Sequence, residues 1–118
     1  MKKKGVAKLK KILEKDIQKA IIEVLELKKW LVVKVNNVGI KKENGSFIPP
    51  RQRGISDLIA CSPRGRFYAI EVKRPGGKLT EDQDRFLKDV FLHEGGFLVA
   101  YSVDDVIKLT ERCDSIRG

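Results

Sequence analysis

The sequence predicts a mixed α/β fold in which a central β-sheet is flanked by helices. Long segments near the start and in the second half carry apolar side chains at helical spacing, and short apolar segments between them have the character of strands. Strands and helices alternate in the second half, which predicts a mixed sheet with helices on its faces. The chain of 118 residues is long enough for one modest core, so we expect a single domain, 1–118, with flexible ends at 1–7 and 113–118.

The predicted elements follow in the order helix, three strands, helix, strand and helix. Residues 6–28 place apolar side chains on one stripe of a helix, and residues 30–36 form the first strand. The polar and basic segment 37–53 is either a flexible loop or a hairpin, for which Asn44-Gly45 is a favourable turn. The remaining predicted strands are 57–61, 67–73 and 97–101, and the remaining helices are 80–94 and 103–112.

The strand at 67–73 ends in Glu71-Val72-Lys73. Side chains alternate between the faces of a strand, so Glu71 and Lys73 share one face and Val72 points to the other. Asp57, after Gly54-Ile55-Ser56, opens the preceding apolar strand. Unpaired buried charge is costly, and two neighbouring carboxylates disfavour each other's ionised forms. A divalent cation would compensate for both effects.

Asp57 and Glu71 offer the hard oxygen ligands that suit Mg²⁺. Such an ion could hold a phosphate oxygen and a water molecule, while Lys73 orients or deprotonates that water or holds the phosphate. This pattern predicts a metal-dependent nuclease site. The alternative is structural: Glu71 and Lys73 would form a pair at a sheet edge and Asp57 would be a turn residue.

Two further site residues are predicted on the helices. Projection of the first helix at 100° per residue places Glu14 at the border of the apolar stripe and Glu23 toward water, so Glu14 is the candidate for a further ligand, direct or through water. Gln83 leads the apolar stripe of the second helix and could orient the lysine, the water or a phosphate. It also fits a capping box with Thr80, which is the competing structural role.

The formal net charge of +9 favours a polyanionic partner. Residues 1–19 hold eight lysines against two acids, a net of +6. Nucleic acid is the leading candidate partner, and weak peripheral binding to an anionic membrane surface is the competing one. A solvated lysine face is the structural alternative for the first helix. The predicted cationic contacts with the phosphate backbone are Lys11, Lys15, Lys19, Lys41, Lys42, Arg51, Arg53, Arg74 and Lys78.

Histidine and cysteine chemistry is scarce in this chain. The single histidine, His93, is expected in the last turn of the second helix, before Gly95-Gly96. Cys61 and Cys113 have neither a Cys-x-x-Cys nor a zinc spacing and are expected to be buried thiols. Carboxylates and lysine therefore remain for catalysis, and no small-molecule cofactor is predicted. Because the lysines near the start interrupt any apolar signal segment, we expect a cytoplasmic protein that does not enter a membrane.

These residues together resemble the PD-(D/E)xK nuclease superfamily and, within it, the VRR-NUC family. The resemblance covers roughly residues 10–110. Two positions depart from the family pattern: Ser56 stands where proline is frequent, and Val35 where an arginine often precedes the asparagines. The most specific parts are Glu14 with Ile17-Gln18, Asn36-Asn37-Val38-Gly39, Gly54-x-Ser56-Asp57, Ile70-Glu71-Val72-Lys73 and Leu79-Thr80-x-x-Gln83.

The resemblance implies a restriction-endonuclease-like core and a site that binds Mg²⁺ or Mn²⁺. The implied ligands are Glu14, Asp57, Glu71 and the backbone carbonyl of Val72. Stand-alone members of the family are small homodimers similar to Holliday junction resolvases, which implies a structure-selective DNA endonuclease acting on branched DNA. Asn36 and Asn37 are implied substrate contacts. The alternatives are a nicking or restriction-like nuclease on other DNA, and a non-catalytic nucleic-acid-binding module with the same fold.

Overall fold

The computed structural model describes residues 2–36, 39–49 and 52–115, with side chains for residues 13–36, 39–49 and 52–114. Three helices and six strands lie in these ranges. The helices are α1 (Lys2–Leu27), α2 (Glu81–Leu92) and α3 (Val103–Ser115), and the strands are β1 (Leu31–Lys34), β2 (Ile40–Lys41), β3 (Phe47–Ile48), β4 (Leu58–Cys61), β5 (Phe67–Val72) and β6 (Gly96–Ala100).

Four of the strands form the central sheet in the order β1-β4-β5-β6. The β1–β4 and β4–β5 pairs are antiparallel and the β5–β6 pair is parallel, which confirms the predicted mixed sheet. The antiparallel β4–β5 pair is joined by a tight turn in which Ser62 N donates to Arg66 O at 2.9 Å. The parallel pair needs a crossover, and α2 supplies it.

The predicted hairpin is present as a separate two-stranded sheet of β2 and β3. Lys42 N donates to Ser46 O at 2.8 Å and closes the turn. Gly45 has φ +89°, a conformation that favours glycine, so the Asn44-Gly45 prediction is confirmed.

The sheet separates two apolar layers. The main core lies between the sheet and the helices α1 and α3, and it includes Ile21, Leu25 and Ile70, all fully buried. Burial of each such side chain contributes about 1.5–3 kcal/mol. A smaller cluster of Ala69, Leu87 and Val90 lies under α2 on the opposite face.

Some boundaries differ from the sequence prediction. The backbone of α1 is helical from Lys2 and that of α3 to Ser115, so α1 begins before and α3 ends after the predicted bounds of 6–28 and 103–112. The flexibility expected for the ends 1–7 and 113–118 stays a prediction. Residues 1 and 116–118 of those ends lie outside the described residues. In the described part of the chain, no helix is long and apolar enough to cross a membrane.

The prediction of buried thiols was wrong in degree, because both cysteines are half-buried and free. Cys61 alternates with Ala60 of the main core and so lies on the α2 side of the sheet, where α2 packs on β5 and β6 and leaves β4 uncovered. Phe91 of α2 is 64% exposed and meets the ring of Phe97 edge-on. His93 caps the end of α2, as predicted.

Candidate functional site

Asp57 is held in place by both strands that neighbour β4. Its side-chain Oδ2 accepts a hydrogen bond from Val72 N at 2.8 Å, and its backbone carbonyl accepts one from Val35 N at 2.9 Å. The preceding Ser56 is buried and donates from Oγ to Leu58 O at 2.8 Å, which secures the entry into β4. The Asp57 carboxylate is therefore fixed at the end of β5, beside the Glu-x-Lys residues.

Glu71 is buried under the α2 side of the sheet, with 2% of its surface exposed. Its Oε2 has no hydrogen-bond partner among the described residues. Burial, together with the hydrogen bond and negative charge of Asp57, raises the pKa of Glu71 to about 9. Because burial and a second carboxylate both disfavour the ionised form, the pair holds a proton near neutral pH unless a cation replaces it.

Lys73 directly follows Val72, the last residue of β5. Its backbone nitrogen donates to Ala100 O at 2.9 Å, which ties the end of β5 to β6. The half-buried side chain runs beside Gly77, where a Cβ would lie 3.4 Å from Lys73 Cβ. The charge of Lys73 lowers the pKa of Glu71 and opposes the larger effects that raise it. The ammonium thus acts electrostatically on the carboxylate pair.

Glu14 lies at the border of the site but is bound elsewhere. Its Oε2 meets Arg74 Nη1 at 3.5 Å, and both side chains are partly exposed, by 37% for Glu14 and 40% for Arg74. The charge of Glu14 still raises the pKa of Glu71, so the Glu14 carboxylate lies close enough to act on that of Glu71. Glu23 is exposed, as the helix projection predicted. Sequence reasoning placed Arg74 against DNA and missed its pairing with Glu14, because the two are far apart in the chain.

The described side chains include no ready set of three acidic, histidine or cysteine groups for a metal ion. The structure brings Asp57 and Glu71 together, while Glu14 remains paired with Arg74. The unpartnered, buried Oε2 of Glu71 nevertheless fits a hard divalent cation, because such an ion would replace the missing partner and neutralise both carboxylates.

Gln83 adopts the predicted capping box. Thr80 N donates to Gln83 Oε1 at 2.9 Å, and Gln83 N donates to Thr80 Oγ1 at 3.1 Å. The carbonyl oxygen of the side chain is thus engaged at the start of α2, which leaves the amide Nε2 as the group that could serve the site. The capping role was the competing prediction, and the site role stays a prediction.

Gly54 brings the start of α2 against the loop that leads to Asp57. It has φ +76°, and a Cβ at this position would overlap the carbonyl of Asp82 and lie 2.6 Å from Gln83 N. Only glycine allows this close approach of two backbone segments. The capped start of α2 is therefore held against the loop three residues before Asp57.

We expect Gly54→Ala to lower the free energy of unfolding by at least about 2 kcal/mol, because it adds both backbone strain and a clash with fixed backbone atoms. Gly65→Ala is the matched control: φ there is +90° with no atom within 4 Å of the added methyl, so only the strain of about 1 kcal/mol applies. Urea denaturation of both variants measures the difference. Equal losses would contradict the close approach.

The cations that were assigned to DNA contact are mostly exposed. Arg74 is the exception, since it pairs with Glu14. The side chain of Lys11, and the residues Asn37 and Arg51, lie outside the described part of the structure, and Asn36 is exposed. Their contact with DNA stays a prediction. The exposed cations are Lys15, Lys19, Lys41, Lys42, Arg53 and Lys78.

A mixed four-stranded sheet between helices, with two carboxylates and a lysine at the end of its central strands, defines a nuclease-like fold. Comparison with known proteins identifies the family: the model of the VRR-NUC domain matches residues 12–104, and the chain belongs to this family. A solved structure described as "VRR_NUC domain" is similar with a TM-score of 0.62 and 27% identity, over 83% of this chain and 94% of that one. A search of curated proteins found no match.

Proposed function

We propose that this chain is a Mg²⁺- or Mn²⁺-dependent DNA endonuclease that hydrolyses phosphodiester bonds in branched DNA, such as four-way junctions. Membership of the VRR-NUC family supports the nuclease class. The single observation that carries the proposal is the buried, unpartnered Oε2 of Glu71 beside Asp57. Two neighbouring carboxylates in a buried site are costly to ionise without a counterion, and a divalent cation removes that cost. A metal site that cleaves phosphodiesters uses such a cation.

Asp57, Glu71 and the backbone carbonyl of Val72 would hold the metal ion, and Glu14 would join them directly or through water after release from Arg74. When bound, the ion supplies charge stabilisation for the phosphate and a more acidic water. As an ammonium, Lys73 would orient that water or hold the phosphate; as a neutral amine, it would accept a proton from the water. Gln83 Nε2 donates to the water or to a phosphate oxygen from the start of α2.

The experiment is incubation of labelled DNA with the full chain in Mg²⁺, Mn²⁺ or EDTA. A four-way junction is compared with a flap and a plain duplex of equal length, for wild type, Asp57→Ala and Lys73→Ala. We expect metal-dependent cleavage of the junction by wild type and by neither Asp57→Ala nor Lys73→Ala. Asp16→Ala, which removes an exposed acid of α1, is the matched control and should cleave normally.

Each other outcome has a defined meaning. Cleavage that survives both site substitutions would refute the assigned site. Cleavage of the flap or duplex in preference to the junction would favour the nicking or restriction-like nuclease. Binding without cleavage of any substrate would favour the non-catalytic module, against which the joint presence of Asp57, Glu71 and Lys73 argues.

We further propose a homodimer, which would present two sites to the two strands of a junction. Leu31 and Val33 of β1 alternate with Val32, which packs in the main core, so they point away from it and are exposed. A second copy could bury this apolar surface. We expect sedimentation at micromolar concentration to give twice the chain mass of 13.4 kDa. A monomer at all concentrations would contradict the dimer.

DNA affinity is expected to depend strongly on salt. If about six cations contact phosphates, the observed binding constant falls with a log–log slope near −5. Fluorescence anisotropy with Asp57→Ala, which prevents cleavage, measures this slope. We expect Lys41→Ala and Lys42→Ala each to reduce it by about 1, whereas the control Lys88→Ala, which removes a partner of Asp84 on α2, leaves it unchanged. A flat dependence would contradict phosphate contact.

A further inference from the structure

We propose that the β2–β3 hairpin recognises a break in base stacking, and that the ring of Phe47 stacks on an exposed base at a DNA branch point. The inference rests on the proposed function, since it assumes a nucleic-acid substrate, and it names the substrate feature that the site would select. Phe47 is then a specificity residue that contacts the DNA base rather than the reacting phosphate.

The hairpin presents apolar side chains to solvent. Ile40 and Phe47 are each 61% exposed and Ile48 is 42% exposed, although β2 and β3 pack on no other element of the described chain. Two strands of two residues cannot bury these side chains by themselves. Exposed apolar groups on such a hairpin are suited to contact with a partner that has flat apolar surfaces, and the faces of bases are such surfaces.

The ring of Phe47 is held in a defined position. Its outer edge lies directly against Gly39, where a Cβ would overlap the ring. The absence of a side chain at Gly39 lets the ring rest on the backbone with its other side in solvent. An aromatic ring that is exposed and also supported from behind can stack on a base at low entropic cost.

The hairpin is rooted at the candidate active site. The chain leaves the sheet at Val35, whose nitrogen donates to Asp57 O at 2.9 Å, and returns through Gly54 to Asp57 itself. Gly54 is in turn fixed against the start of α2. A base bound by the hairpin would therefore bring the neighbouring phosphates toward Asp57 and Glu71.

Charge on the hairpin fits nucleic acid better than an apolar protein surface. Lys41 is the cross-strand partner of Phe47 and shares its face of the hairpin, and Lys42 is the next residue along the chain, so two cations lie near the ring. Arg53 is exposed at the returning end. Aromatic rings with adjacent cations bind single-stranded or unstacked nucleic acid by stacking and phosphate contact together.

A branch point is the favourable substrate for a hairpin that stacks Phe47 on a base. Apolar side chains that enter an intact duplex must first separate two stacked base pairs, which is costly. At a junction, flap or bulge some base stacking is already broken, so less energy is needed to expose a base. Stacking on Phe47 therefore favours the branched form over the plain duplex. The selectivity follows from DNA shape and not from base sequence.

The test is a binding measurement that does not depend on cleavage. Full-length protein with Asp57→Ala, alone and combined with Phe47→Ala, is titrated into a branched DNA that carries 2-aminopurine at the branch point and into a matched duplex. We expect Phe47→Ala to weaken binding to the branched DNA by about 5- to 150-fold and to leave duplex binding unchanged. The change in 2-aminopurine fluorescence that accompanies binding should be lost in the Phe47→Ala variant.

Two variants control for other causes. Phe91→Ala removes a phenylalanine of similar exposure from α2 and should leave the ratio of branched to duplex affinity unchanged. Phe47→Trp keeps an aromatic ring at this position, so it should retain the preference for branched over duplex DNA even if Phe47→Ala loosens the hairpin. The native Trp30 is buried, so a change in tryptophan emission on DNA binding should report on the introduced indole. We expect the branched DNA to quench this emission more than the duplex does.

An unchanged affinity ratio in Phe47→Ala would overturn the inference. So would a change of oligomeric state in Phe47→Ala without a change in that ratio, which would make the hairpin a protein contact. Failure of wild type to cleave any DNA would refute the proposed function but not the stacking measured here. The two failures are therefore distinguishable.

Discussion

Lys73→Met is expected to lower the rate of junction cleavage by about 10²- to 10⁴-fold while DNA affinity changes little. The substitution retains the length of the side chain and removes the ammonium that lies beside Glu71. A positioned group that transfers a proton or stabilises charge in the transition state contributes rate enhancements of this size. Single-turnover cleavage in saturating Mg²⁺ measures the chemical step apart from binding.

Lys73→Arg separates the two proposed roles of Lys73, which are charge stabilisation by the ammonium and proton acceptance by the neutral amine. If Lys73 only stabilises charge, arginine restores most of the rate, whereas if it accepts a proton from water, arginine stays inactive because its pKa is too high. Lys88→Met, at an exposed lysine of α2 that is not among the predicted DNA contacts, is the control and should cleave like wild type. Full activity in Lys73→Met would exclude Lys73 from the reaction.

Glu71→Gln is expected to stabilise the metal-free protein above neutral pH. The pKa of Glu71 is about 9 in the folded chain, well above its ordinary value of 4.5. Between these values the folded state binds one proton more than the unfolded state, so the free energy of unfolding falls as pH rises. One proton corresponds to about 1.4 kcal/mol per pH unit.

Urea denaturation in EDTA at pH 5, 7 and 8.5 measures this effect. We expect wild type to lose stability over the series, and Glu71→Gln to show a flatter dependence because glutamine carries no titrating proton. Added Mg²⁺ should raise the free energy of unfolding of wild type at pH 8.5 and should raise that of Glu71→Gln far less. Glu23→Gln, at an exposed position of α1, is the control with the wild-type slope. Equal slopes in Glu71→Gln and wild type would contradict the buried, protonated carboxyl.

Several features of this site were predictable because they depend on neighbours close in sequence. Strand alternation placed Glu71 and Lys73 on one face and Val72 in the core, as the structure confirms for Val72. The capping box of Thr80 and Gln83 and the glycine turn of the hairpin follow from local backbone chemistry. The family resemblance, confirmed over residues 12–104, also rested on these short motifs.

Other features depend on contacts between distant parts of the chain. No local pattern indicates that Arg74 pairs with Glu14, or that Gly54 packs on the start of α2. The exposure of Phe91 and the half-burial of Cys61 depend on which strands α2 covers. These outcomes are set by the packing of whole elements, which hydrophobic periodicity does not specify.

The sequence alone determined the order of elements, the mixed sheet, the family and the residues with chemistry to offer, because periodicity, turns and motifs are properties of short segments. Only the tertiary structure decided that Asp57 is anchored on Val72 N, that Glu71 is buried with an unpartnered oxygen, and that the hairpin with Phe47 projects from the same end of the sheet. The reason is that burial and electrostatics arise where distant segments meet, and their effect on a carboxylate depends on every group packed around it.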